Sequence, residues 1–113
     1  MMDFNRDVIT IRYYSDSWGP FVFDFTDALP DGETLSSVTV RSFLGRVKSS
    51  TDILSLPEST NNLVDIAVID GNSVGVKLQY PGAAFAGNHS LVFEIQTSSG
   101  GKHAFFFYKV DVE

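Results

Sequence analysis

Leu63-Val64-Asp65-Ile66-Ala67-Val68-Ile69-Asp70-Gly71-Asn72-Ser73-Val74-Gly75-Val76-Lys77-Leu78-Gln79-Tyr80 is the stretch on which the fold turns. Its first half is a β-rich apolar run. The run stops at Asp70-Gly71-Asn72, residue types that tolerate positive φ and so mark a tight hairpin. In the second half Val74, Val76, Leu78 and Tyr80 face one way, and Gly75, Lys77 and Gln79 face the other. That period of two belongs to a half-buried strand, not to a helix.

The same alternation recurs outward in both directions, and no stretch of about ten residues carries helical spacing. Toward the N-terminus, Val8-Ile9-Thr10-Ile11-Arg12-Tyr13-Tyr14 predicts a strand. Phe21, Phe23 and Phe25 alternate with Val22, Asp24 and Thr26, and Val38 and Val40 alternate with Thr39 and Arg41. Toward the C-terminus, Leu91, Phe93 and Ile95 alternate with Val92, Glu94 and Gln96. The last run sets Ala104, Phe106, Tyr108, Val110 and Val112 against His103, Phe105, Phe107, Lys109 and Asp111. Turns separate these runs at Pro30-Asp31-Gly32, at Pro81-Gly82 and at Ser98-Ser99-Gly100-Gly101. Residues 83–87 predict a single helical turn bridging two sheets. Seven short antiparallel strands fit an immunoglobulin-like β-sandwich, with a small barrel as the alternative. With 113 residues there is room for one domain, expected over 1–113. Residues 1–6 are expected to form a flexible N-terminus. A long loop, rich in Ser, Thr and Asn, is expected over 45–62, with room for a short strand around Ile53-Leu54.

Composition narrows the function classes. Hydrophobic residues make up 43% of the chain and charged residues 19%, enough for a core and too apolar for wholesale disorder. The formal charge of −6 repels phosphate, so neither nucleic acid nor an anionic membrane is expected as a partner. The absence of cysteine removes disulfides, thiolate zinc sites and thiol nucleophiles together. The opening residues Met1-Met2-Asp3-Phe4-Asn5-Arg6-Asp7 do not resemble a signal-peptide core, so synthesis in a cytoplasm is expected. Without secretion, Asn88-His89-Ser90 reads as a chance match to the glycosylation pattern.

Catalytic parts are hard to assemble from what remains. Asp24, Asp27, Asp31 and Glu33 form the densest acidic group. Their spacing is not that of an EF-hand, and the reading is a solvated, turn-forming cluster, with calcium as the minor alternative. His89 and His103 stand without a nucleophile elbow, and the Gly100-Gly101 pair lacks the helix a phosphate loop requires. The expectation is a protein that is not an enzyme and carries no cofactor and no metal. Candidate interface residues are Arg41, Phe43, Arg46 and Lys48, a basic patch without an intervening acid. Phe105 and Phe107 join them, being read as facing away from the core if Phe106 and Tyr108 face into it. Tyr13, Tyr14 and Trp18 offer a glycan-stacking platform as an alternative, although Trp18 also suits the role of capping one end of the core.

Two segments carry a resemblance. One is Phe23-Asp24-Phe25-Thr26-Asp27-Ala28-Leu29-Pro30-Asp31-Gly32-Glu33-Thr34-Leu35-Ser36-Ser37-Val38; the other runs from Ala86-Gly87-Asn88-His89-Ser90-Leu91 through Ile95-Gln96-Thr97 to Gly101-Lys102. Together they resemble small tailed-bacteriophage virion proteins of the fiber–tail adaptor type. That family shows a "D-W-L-x-x-G-E-T-I" turn and an "A-G-x-x-Y-x-V-x-x-x-I-x-T" strand before a closing Gly turn. The match covers roughly residues 20–112. Phe25 stands where Trp is common, Ala28 replaces a second frequent Trp, and the Phe-Phe-Phe-Tyr run replaces a more polar one. The resemblance implies a noncatalytic virion structural protein, an adaptor joining tail to tail fibers. It would be present in multiple symmetric copies against other virion proteins of the tail, fiber or capsid. Capsid decoration, or a carbohydrate- or surface-binding module, are the alternatives.

Overall fold

The computed structural model describes residues 7–12, 18–45 and 63–113, apart from the side chains of Phe106 and Tyr108. Several sequence expectations therefore lie outside the described residues: the N-terminus over 1–6, Tyr13, Tyr14, Arg46, Lys48, the strand near Ile53-Leu54, and the inward placing of the Phe106 and Tyr108 rings. Among the described residues there are seven strands: β1 (Ile9–Ile11), β2 (Trp18–Asp24), β3 (Leu35–Leu44), β4 (Val64–Asp70), β5 (Ser73–Leu78), β6 (Gly87–Thr97) and β7 (Lys102–Val112). They form two sheets, of order β1-β7-β6-β3 and β2-β5-β4, packed face to face as a β-sandwich. With the strands lettered in chain order, the second to seventh fall where an immunoglobulin-like sandwich puts them, as B-E-D and G-F-C, while the first pairs with the seventh instead of the second. No helix among the described residues is long and apolar enough to cross a membrane.

Each predicted hairpin forms for the reason its residues suggest. Asp70 pairs with Ser73 across a two-residue turn in which Gly71 takes a φ of 62°, a conformation that side chains with a Cβ rarely adopt. Asn72 then anchors the turn to two other segments. Its carbonyl accepts from the Phe25 N–H at 2.9 Å, and its Oδ1 accepts from the Leu35 N–H at 3.2 Å. A short 3₁₀ turn at Ala83–Phe85 carries the chain from the three-stranded to the four-stranded sheet. Neighbouring strands run antiparallel except for β1, which pairs in parallel with β7 through Ile9↔Val110 and Ile11↔Val112. Parallel pairing needs a long connection, and here almost the whole chain lies between the two strands.

Phenylalanine rings fasten the layers together. Phe23 lies 4.5 Å from Phe93 and 5.3 Å from Phe107, centroid to centroid, while Phe25 lies 5.5 Å from Phe93 and 5.0 Å from Phe105. These tilted and edge-on geometries are the favourable ones for aromatic pairs. Phe23 and Phe25 belong to the three-stranded layer, and Phe93, Phe105 and Phe107 to the other, so every one of these contacts crosses between layers. Val74, Val76 and Leu78 of β5 and Leu91 and Ile95 of β6 fill the space around the rings.

This overturns the outward placing of Phe105 and Phe107. Phe107 is wholly buried in the core, and Phe105 packs against it partly buried. The cause is a β-bulge. His89 pairs with Val110 and Leu91 with Phe107, so two steps along β6 match three along β7. One extra residue inverts the alternation, because side chains change face with every position. Counting back from the inward Val110 and Val112 without the bulge puts every earlier side chain on the wrong face.

Phe107→Ala should therefore destabilise the chain by about 3–5 kcal/mol, as truncation of a fully buried aromatic does. Phe105→Ala should cost less, because that ring is only partly buried. Urea unfolding of both variants beside wild type measures the order; equal losses would contradict the core placing.

Candidate functional site

Alternation fills the inner face of the β2-β5-β4 sheet and thereby decides what its outer face carries. With Val74, Val76 and Leu78 inward, β5 presents Ser73, Gly75 and Lys77 outward. Register aligns their neighbours in rows. Ser73 lies between Asp70 of β4 and Asp24 of β2, and Gly75 lies between Val68 and Val22. Lys77 is paired with Ile66, and Pro20 approaches from within the register shift between Trp18 and Phe21 of β2. A shallow trough of about 520 Å³ runs over these residues. Gly75 makes its floor: a Cβ placed there would meet only the Pro20 Cβ at 3.8 Å and the Val68 carbonyl at 4.0 Å, ordinary contact distances. The walls are apolar and open to solvent, with Val22 at 37%, Ile66 at 49% and Val68 at 57% exposure. These aliphatics are contiguous on one face and make a small apolar patch there. The charged residues stand at the two ends, Asp70 and Asp24 at one and Lys77 at the other.

The outer side of the four-stranded sheet is different. Phe43 and Val92 lie on the face of that sheet opposite the core cluster, yet both are buried. The Arg41 guanidinium stands 5.1 Å from the centre of the Phe43 ring and donates to Glu94 Oε1 at 3.1 Å. The expected basic interface patch is corrected accordingly. Phe43 is not on the surface, and an acid invisible in the local sequence, Glu94, comes from the neighbouring strand to pair with Arg41. Trp18, half-buried, packs against the core at the start of β2. That fits the capping role; Tyr13 and Tyr14, the rest of the stacking alternative, lie outside the described residues.

Two members of the acidic group, Asp24 and Glu33, have separate structural jobs. Asp24 Oδ1 accepts from the Thr26 hydroxyl at 2.6 Å and from the Thr26 N–H at 2.9 Å, closing the turn after β2. Those two bonds, the hydroxyl first, hold the Asp24 carboxyl below the usual carboxylate range. Glu33 reaches the other sheet: its Oε1 accepts from Thr97 at 2.6 Å and from the Ser99 hydroxyl. Ser98 donates its N–H to the Thr34 carbonyl at 2.9 Å, completing a clamp between the two segments that carry the phage-protein resemblance. Ser99 first, then Thr97, lowers the Glu33 pKa. Among the described residues no three His, Cys, Asp or Glu side chains gather as a metal group would. His89 is wholly buried, its Nε2 2.7 Å from the Phe85 carbonyl. It braces the turn leading into β6.

Periodicity pointed to the outward Val22 but not to the trough. The missing signal was Gly75, whose lack of a side chain at a β5 position reads as a weak strand residue until Val22 and Val68 are aligned beside it. No family model matches the chain, and a search of curated proteins finds no match.

The lowered carboxyls fix a sign for acid stability. A group with a depressed folded-state pKa binds fewer protons when folded, so its stabilisation is full above the unfolded pKa and is lost as pH falls through the folded one. For Glu33 that loss begins below its ordinary value of 4.5. Glu33→Gln should lower the melting temperature near neutral pH and narrow the gap between variant and wild type toward pH 3. A gap that stays constant with pH would show that the clamp does not depend on ionised Glu33.

Proposed function

We propose that this chain is a noncatalytic structural component of a tailed-bacteriophage virion, an adaptor that joins tail to tail fibers through contacts with other virion proteins. The observation that carries this reading is the apolar outer face of the β2-β5-β4 sheet. Its contiguous exposed Val22, Ile66 and Val68, with charges confined to the ends, suit the burial of another protein surface. The described titratable groups whose partners are known serve turns, a clamp and a cross-strand pair, which is the use a structural module makes of them. The sequence resemblance adds the virion context. Its two segments meet in the Glu33–Thr97–Ser99 clamp, so what they have in common is a structural joint.

The test is particle fractionation. In lysates that assemble the particles, the tagged chain should sediment with intact virions. Val68→Arg should leave the fold intact, since Val68 is exposed, and should reduce incorporation about tenfold or more by burying an unpaired charge at the contact. A wild-type chain left among the soluble proteins would overturn the virion role. Undiminished incorporation of Val68→Arg would remove the outer face from it.

A further inference from the structure

The ends of the trough carry opposite charges in an order that selects a particular occupant. Resting on the reading of the outer face as a docking surface, we propose that its occupant is the same face of a second copy, held about a two-fold axis that runs across the strands near Gly75. Such an axis reverses the strands of the second copy and lays the row Asp70–Ser73–Asp24 over the row containing Lys77. Each ammonium then sits over Ser73 of the other copy with an acid on either side. The alternative two-fold, running along the strands, lays Asp70 over Asp24 and sets like charges face to face, an arrangement that costs affinity. Charge thus distinguishes two packings that the apolar walls alone would accept equally.

Shape agrees with charge. Two troughs floored by Gly75 would enclose a void if only the Val22 and Val68 walls met. In the favoured arrangement the aliphatic stem of Lys77 from each copy stands in the Ser73 end of the other's trough, between the acids, and narrows that void from both ends. Lysine stems cover apolar surface in this manner while their ammonium groups keep polar partners. The contact is isologous, each copy giving and receiving the same residues.

Its size sets its strength. Three strands about 4.8 Å apart and five residues of about 3.4 Å each make a small patch. The total area covered falls below the roughly 1,200 Å² of standard interfaces, so dissociation on the order of 100 µM is expected for the isolated chain. Symmetric copies held on a particle would raise the effective concentration and make so weak a contact sufficient.

Sedimentation equilibrium of the purified full chain tests this without any particle, so its outcome is independent of the virion reading. Wild type should pass from monomer to dimer as concentration rises, less readily at high salt. Lys77→Glu, which places three acids together, should weaken the dimer about tenfold or more. Asp70→Lys should also weaken it, and the two substitutions combined should return dissociation to within about threefold of wild type, the signature of a direct pair across the two-fold. Circular dichroism of each variant confirms that the fold is kept. A chain that stays monomeric to about 1 mM, a Lys77→Glu variant that dimerises as wild type does, or losses that add in the double variant would each overturn the proposal.

Discussion

Contact between phenylalanine rings across two layers is the constraint on which this molecule rests. Phe23 and Phe25 from one sheet meet Phe93, Phe105 and Phe107 from the other at centroid separations of 4.5 to 5.5 Å. A domain of this size has little margin: total stability of order 5–15 kcal/mol means that a single buried ring carries a large share. The rings also fix the alignment of the sheets, since the tilted and edge-on packings tolerate little sliding. Everything on the outer surfaces follows from which side chains are consumed by that layer.

The two sheets settle their outer faces differently. On the four-stranded sheet, Phe43 and Val92 are buried and Arg41 is engaged by both the Phe43 ring and Glu94. On the three-stranded sheet, the walls around Gly75 remain open. A single absent side chain separates a continuous apolar ridge from a trough. Since added bulk at Gly75 would meet only ordinary contacts, crowding does not require the glycine there, and the trough is a property of the surface instead of a by-product of tight packing.

Polar chemistry is spent at the ends of strands. Asp24 closes a turn through Thr26, Asn72 ties its hairpin to Phe25 and Leu35, and Glu33 reaches Thr97 and Ser99. Apart from the local Asp24–Thr26 pair, these bonds join segments far apart in the chain, Glu33 and Ser99 being 66 residues distant. They hold the loops at one end of the sandwich in fixed relation to the sheets. Of the four acids read as a possible cluster, Asp24 and Glu33 are thus committed to hydroxyl and amide donors.

Local sequence indicated the strands, the Asp70-Gly71-Asn72 hairpin, a short turn within 83–87 that forms at 83–85, and an all-β class with the sandwich preferred to a barrel, because period-two alternation and turn residues act over a few neighbours. It also marked Val74, Val76, Leu78, Phe23 and Phe93 as core. Tertiary structure alone decided three matters. The extra residue in β7 inverted the alternation and brought Phe105 and Phe107 inward, since a bulge is defined by the pairing of two strands. Glu94 reached Arg41 only through the register of β6 on β3. The trough arose when β2 and β4 aligned valines on either side of Gly75. Each depends on which residue stands opposite which, and cross-strand neighbours far apart along the chain leave no trace in local periodicity.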